Sequence, residues 1–306
     1  MIAFAPGRVN LIGDHTDYAG GLVLPMAIDL GTTIEGERGG DLVLLTSDAL
    51  EGVAQIPLDI ADPARVEPVW ARYVAGVVAE VRPSRGFTGR VTTTLPVGAG
   101  LSSSAALEVA VALALVGDGT DIDLAAACQR AEQRASGVPC GRMDQLASVH
   151  GIAGHALLID CSTYSITPVP VPATAEIVVV HVEDRALATS AYGERRAELE
   201  AGHPRRTRHV RTENERVRAF AGALAAGDLV TAGGLMLASH ASLRDDYEVS
   251  TPALDDEVER LRAVPGVHGA RLTGAGFGGC VVALCDPGAL ADGWKVRPAG
   301  GAWVSA

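Results

Sequence analysis

The stretch Leu95–Ala106, LPVGAGLSSSAA, decides how this chain is read. Before it, GRVTTTL (89–95) carries the β-branched residues of a strand, and after it ALEVAVALALV (106–116) carries the alanines and leucines of a buried helix. The order is strand, loop, helix. Gly98 and Gly100 let the backbone approach an anion closely, with Ala99 and Leu101 between and after them. Ser102, Ser103 and Ser104 bring hydroxyls and amides to a helix start, where unpaired N–H groups and the helix dipole favour negative charge. The loop suits a nucleotide's phosphates. Taken alone, it also fits a Gly/Ser turn closed by a serine N-cap.

With 306 residues, 48% of them hydrophobic and 20% charged, the chain can bury a core and fill two domains. A formal charge of −12 argues against a nucleic-acid or membrane-surface binder and leaves small substrates as partners. Lys295 is the one lysine among 25 basic residues, which excludes a Walker-type P-loop and a protein-kinase β3 lysine. The five cysteines lack paired spacings, so neither a disulfide framework nor a zinc site is indicated, and a reducing cytoplasm is expected. No signal segment or membrane span is read, and a monomer is expected.

Residues 1–31 read as strand, polar loop, short strand and strand. Within the loop Arg8, Asn10, Asp14, His15, Asp17 and Tyr18 offer one cation, two carboxylates and several hydrogen-bonding groups. Such a set suits a polyhydroxylated ligand, and equally a solvated Asx-rich turn. Three motifs in order then point one way. GRVNLIGDHTDYAGGLVLPMAI (7–28) resembles the galactokinase signature, LPVGAGLSSSAALEVAVALAL resembles the second motif of the GHMP small-molecule kinases, and LTGAGFGGCVVAL (272–284) is similar to their third. VPCGRMDQLAS (138–148), SAYGERRAE (190–198) and SHASLRDDYEVSTPALD (239–255) resemble galactokinase segments lying between, so the resemblance covers nearly the whole chain.

The resemblance implies an α+β, two-domain GHMP kinase fold. It has an N-terminal ribosomal-protein-S5-like domain, set here at 1–171, and a C-terminal ferredoxin-like α/β sandwich at 172–306, with the active site between them. It implies ATP-dependent phosphorylation of the anomeric hydroxyl of galactose. Another sugar such as arabinose or an amino sugar, or a non-catalytic sugar sensor, are the alternatives. Asp144 is then the catalytic carboxylate and Arg8 its partner; Asp14, His15, Thr16, Asp17 and Tyr192 bind sugar. Gly98 to Ser104 bind ATP, Ser104 and Glu132 hold Mg2+, and the nucleotide base lies near Ser47 and Trp70, for which a core or surface role is the other reading. Two departures concern the sugar. Asp14 stands where the family has Glu, one methylene longer, at the position expected to reach the C6 hydroxyl, and Gly193 replaces Asn after Tyr192.

Elsewhere, Val69, Tyr73, Val77 and Val81 predict a helix within 68–82, and 123–149 predicts two helices broken at Gly137–Pro139. GHALLIDC (154–161) reads as an edge strand and PVPVPATAE (168–176) as a connection. The arginine-rich segment 194–220, interleaved with Glu194, Glu198, Glu200, Glu213 and Glu215, reads as salt-bridged, solvated helix faces rather than a nucleic-acid surface. The short DPGALADG (286–293) leaves the second domain without a helix there.

Overall fold

Apolar residues alternate with small ones in β1 (Ile2–Asn10), and the chain then builds β2 (Leu22–Val23), β3 (Pro25–Arg38), β4 (Leu42–Ser47), β5 (Val53–Pro57), α1 (Ala71–Val81), β6 (Phe87–Thr93) and α2 (Ser103–Val116). There follow α3 (Leu124–Ser136), α4 (Met143–His150), β7 (His155–Asp160), β8 (Ser165–Pro170), β9 (Glu176–Glu183), α5 (Ala188–Glu200), α6 (Pro204–Ala225) and α7 (Leu229–Ser242). A π-helical turn (243–247), α8 (Pro252–Arg262), β10 (Val267–Thr273), β11 (Gly279–Cys285), β12 (Trp294–Val296) and β13 (Trp303–Ser305) complete it. This computed structural model describes residues 1–96, 98–117, 121–184 and 188–305; Val97 of the quoted loop lies outside them.

Two sheets carry the two halves. The first runs β13-β1-β3-β6-β4-β5, antiparallel except where β4 meets β6; the second runs β10-β11-β9-β12, antiparallel throughout. Helix α2, apolar on every side, is buried from Ala105 to Leu115 and packs against β1 and β3, with α1, α3 and α4 around it. The helix in 68–82 starts at Ala71, so Val69 lies outside it and is exposed, while Val77 and Val81 face the core. β7 is the central strand of a small sheet β2-β7-β8, not an edge. One edge is β8, whose Pro168 and Pro170 belong to the segment read as a connection; prolines are tolerated there because an edge strand leaves half its N–H groups unpaired. Residues 286–293 join β11 to β12 without a helix.

The expected second domain, 172–306, needs one correction. β13 returns to the first sheet and pairs with β1 (Ile2 opposite Ser305), and Pro298 bridges Ile28, so the chain's last residues belong to the N-terminal half. Among the described residues no helix is long and apolar enough to cross a membrane.

The halves share a core, in which Val9, Leu11 and Ile12 pack with Val217, Phe220 and Met236. A polar junction lies beside it. Asp14, 2% exposed, sits with Oδ2 2.6 Å from Arg271 Nη2, a close charge contact rather than an aligned hydrogen bond, and its Oδ1 accepts from Gly274 N at 3.0 Å. Glu213 accepts from Gly13 N at 3.1 Å and pairs with Arg216 at 2.6 Å, Asn214 Oδ1 accepts from Leu22 N at 2.7 Å, and His209 Nε2 lies 3.1 Å from Asp14 O. The arginine-rich segment therefore does two jobs. Arg211–Glu215 and Arg196–Glu200 are surface pairs as expected, but Glu213 is fully buried and, with His209 and Asn214, holds the backbone of loop 13–22.

Replacing Arg271 by Met leaves Asp14 buried without its countercharge, and should lower unfolding free energy by about 3–5 kcal/mol in urea titrations. Adding Asp14→Asn should recover part of that loss. A single variant as stable as wild type contradicts the pairing.

Candidate active site

The site forms where β1, the loop before α2 and the start of α4 converge. Gly7 makes the first convergence possible: a Cβ there would come 2.5 Å from Leu101 O and 2.6 Å from the Leu95 side chain. Arg8 N then donates to Leu101 O at 3.2 Å and Arg8 Nη1 to Gly100 O at 2.8 Å. The rest of the guanidinium forks onto Asp144, Nε to Oδ1 and Nη2 to Oδ2, both at 2.7 Å. Ser102, held in the left-handed region (φ +59°), donates its hydroxyl to Asp144 Oδ2 at 2.5 Å. A non-glycine residue in that conformation is over-determined by its surroundings, and here it ties the loop to the carboxylate.

Around this fork lies a pocket of about 700 Å³. One end is lined by Leu50, Val69, Trp70, Tyr73, Val91 and Leu107, with Ser47 beside them; Ser47 Oγ accepts from Ala49 N and Leu50 N, and Trp70 Nε1 donates to Glu51 O at 3.0 Å. Gly98, Gly100 and Ser102 to Ser104 form the middle. The side chains of Ala99 and Leu101 turn into the core instead, so from those two positions only backbone faces the loop. Cys280, from the third glycine motif, lies against Ala99 O, and Gly274 and Ala275 line the pocket, so that motif closes onto the loop.

The other end holds Asp14, His15, Asp17 and Tyr192. His15 adopts φ +62°, with Nδ1 2.8 Å from Tyr18 Oη and Nε2 3.2 Å from Ala275 O, and its ring packs against Tyr192 and Tyr247. Burial raises the phenols of Tyr18 and Tyr192 above their ordinary value, so both serve as neutral hydrogen-bonding groups. Asp17 lies against Gly141, where a Cβ would come 1.8 Å from Oδ2; its remaining exposure is to the pocket. Enclosure first, then the charges of Asp144 and Asp14, push its carboxyl up to about 7. Two expected ligand residues are placed otherwise. The hydroxyl of Thr16, fully buried, sits 2.8 Å from Gly13 O and 2.7 Å from Leu22 O, so it clips the loop and leaves the pocket to its neighbours. Asp14 lines the pocket, but its carboxylate is engaged by Arg271 and Gly274.

Behind the glycine–serine loop, Ser104 Oγ donates to Glu132 Oε1 at 2.9 Å. Gln145 Nε2 reaches Glu132 Oε2 at 2.6 Å and Glu108 Oε2 at 3.1 Å. Burial, then the charge of Asp144, raises the Glu132 pKa; burial, then the charge of Glu132, raises that of Glu108. Among the described residues the pocket lining carries five carboxylates, Asp14, Asp17, Glu51, Glu132 and Asp144, against the guanidinium of Arg8. Ser104 Oγ and Glu132 Oε1 set two oxygens side by side that could take part in holding a hard cation, while among the described residues no cluster of three or more His, Cys, Asp or Glu could hold a metal ion by itself. Sequence reading does not single out Arg271, Gln145 or Glu108, and it takes the buried Glu213 for part of a solvated face; for Glu108 the available signal is a carboxylate inside an otherwise apolar helix.

Comparison with known proteins gives the family and the fold. The galactokinase galactose-binding signature matches residues 1–38, the GHMP kinases N terminal domain matches 71–152 and the GHMP kinases C terminal domain matches 220–295. Human galactokinase is 44% identical, over 93% of this chain and 83% of its own length. The chain belongs to the galactokinase family. Another family member, from Chloroflexus aurantiacus, is 42% identical over 97% of this chain and 88% of its own. The Lactococcus lactis galactokinase complexed with galactose superposes with a TM-score of 0.90 at 31% identity, covering 98% of this chain and 94% of that one. The two-domain α+β GHMP kinase fold expected from the three motifs is the fold observed.

Because folding raises the Asp17 pKa from 3.8 to about 7, its contribution to stability is complete below the unfolded value and is lost as pH rises through about 7. Asp17→Asn should therefore melt at higher temperature than wild type, with a gap that opens between about pH 4 and pH 7 and is constant above. Calorimetric scans across that range check it, and a gap independent of pH contradicts the placement of Asp17.

Proposed function

We propose that this chain transfers the terminal phosphoryl group of ATP to the anomeric hydroxyl of galactose, giving galactose 1-phosphate and ADP. One observation carries the reading: the Arg8–Asp144 fork stands at the meeting point of an apolar end sized for a base, a glycine–serine loop for phosphates and a hydroxyl-binding end rich in carboxylate, imidazole and phenol. The base would lie among Leu50, Trp70 and Tyr73 with Ser47 nearby, and the phosphates along residues 98–104 at the start of α2. Sugar hydroxyls would be gripped by His15, Asp17 and Tyr192, with Asp14 acting as a wall fixed by Arg271.

In the reaction the anomeric oxygen forms a bond to the γ-phosphorus, the bond from that phosphorus to the bridging oxygen of ADP breaks, and the hydroxyl proton passes to Asp144. Arg8 holds Asp144 in place through two parallel hydrogen bonds and presents positive charge to the transferring group. Ser102 keeps the carboxylate in register with the loop. Ser104 and Glu132 are the residues that would hold Mg2+, which when bound supplies charge neutralisation on the phosphate oxygens. The chemistry needs a sugar and ATP as its partners. We place it in the cytoplasm as a monomer without nucleic-acid or membrane partners, a reading supported, for the compartment and the partners, by five free cysteines and a net charge of −12.

ADP release from Mg·ATP, measured against galactose, arabinose, galactosamine, N-acetylgalactosamine and glucose, tests the reading. Galactose should be turned over fastest, and a protein that binds ATP yet turns over none of the sugars overturns it. Turnover fastest with arabinose would shift the substrate and assign the change to Asp14. Asp144→Asn should lower kcat by roughly 10²–10⁴-fold; near-full kcat would remove the base role.

A further inference from the structure

Helix α2 is built from alanine, valine and leucine and is buried almost throughout, yet Glu108 sits in its middle with no exposed surface. A carboxyl group placed there costs several kcal/mol unless it is hydrogen-bonded, and a leucine of similar volume would suit the surroundings better. Its Oε2 accepts from the amide of Gln145, itself fully buried, whose Nε2 reaches Glu108 Oε2 at 3.1 Å and Glu132 Oε2 at 2.6 Å. Gln145 directly follows Asp144 in the first turn of α4. The two neighbours diverge: Asp144 goes to Arg8 and Ser102, and Gln145 goes to Glu132.

Glu132 is thereby held at both oxygens. Gln145 takes Oε2, and Oε1 is left to face Ser104 Oγ at the pocket. We infer that Glu108 is a positioning residue for the cation-holding end of the site: through Gln145 it fixes the carboxylate of Glu132 with one oxygen turned to Ser104. Without the Glu108 acceptor the Gln145 amide has one anchor fewer, and Glu132 Oε2 is held less firmly, leaning on the long contact in which the Cys140 thiol donates to it at 3.7 Å. The inference rests on reading Ser104 and Glu132 as the pair that holds the cation. Groups that orient a ligating carboxylate typically matter by about 10–100-fold in metal affinity.

The test is Mn2+ affinity by electron paramagnetic resonance, titrated into protein saturated with a non-hydrolysable ATP analogue, so that no turnover enters the readout. Glu108→Leu should weaken Mn2+ binding by about tenfold or more, and Glu108→Gln, which keeps an oxygen to accept from Gln145, should stay close to wild type. Gln145→Met breaks the same bridge from the other side and should match Glu108→Leu, which keeps the test open if the leucine variant does not fold. Wild-type Mn2+ affinity in folded Glu108→Leu or Gln145→Met overturns the inference, as does a loss in Glu108→Gln equal to that in Glu108→Leu. Glu132→Gln separates the two layers: if it keeps wild-type Mn2+ affinity the cation pair itself is wrong and the positioning role falls with it. If it loses the ion while Glu108→Leu keeps it, the positioning role alone falls.

Discussion

The two parallel hydrogen bonds between Arg8 and Asp144 are the constraint on which the rest of the site depends. Arg8 is the last-but-two residue of β1 and Asp144 the second of α4, so the pair locks a strand of the first sheet to a helix formed far along the chain. The same guanidinium caps Gly100 O, and the same carboxylate receives Ser102, so the loop between them has no freedom to swing away. The left-handed Ser102 is the visible sign of that restraint. Positioning of this kind suits phosphoryl transfer, where in-line placement and electrostatic stabilisation supply most of the catalysis.

Around the fork the structure accumulates like charge. Enclosure raises the pKa of Asp17, Glu132 and Glu108, each further raised by a neighbouring carboxylate. Such a cluster weakens the fold and is held together from behind. Arg271 neutralises Asp14, Gln145 spans Glu108 and Glu132, and α6 uses His209, Glu213 and Asn214 to hold the loop that carries His15 and Asp17. The second half of the chain thus contributes little directly to the lining, with Tyr192, Gly274 and Ala275, and much to its rigidity.

Much of this was legible in the sequence because it is local. A strand, a glycine–serine loop and an apolar helix can be read from about twenty residues, and the fold followed from the resemblance of that motif and two others, in order, to the GHMP kinases. What stayed hidden depends on contacts between distant segments. The alternating Arg and Glu of α6 suit water and a buried junction equally, so nothing local separates the exposed Arg211–Glu215 pair from the buried Glu213. Asp14 reads as a sugar ligand until Arg271 arrives from β10, and Thr16 reads as one until its hydroxyl is seen to satisfy two carbonyls of its own loop. Pro168 and Pro170 argued against a strand, although an edge is where a strand tolerates them.

The most direct test of the central claim is a double-mutant cycle on Arg8→Met and Asp144→Asn, read as kcat/KM for the sugar. Since each residue here acts through the other, the double variant should lose little more than the worse single one, with a coupling of about 1–3 kcal/mol. Losses that simply add would contradict the account, because they would mean that the two residues serve the reaction independently and that the fork does not organise the site.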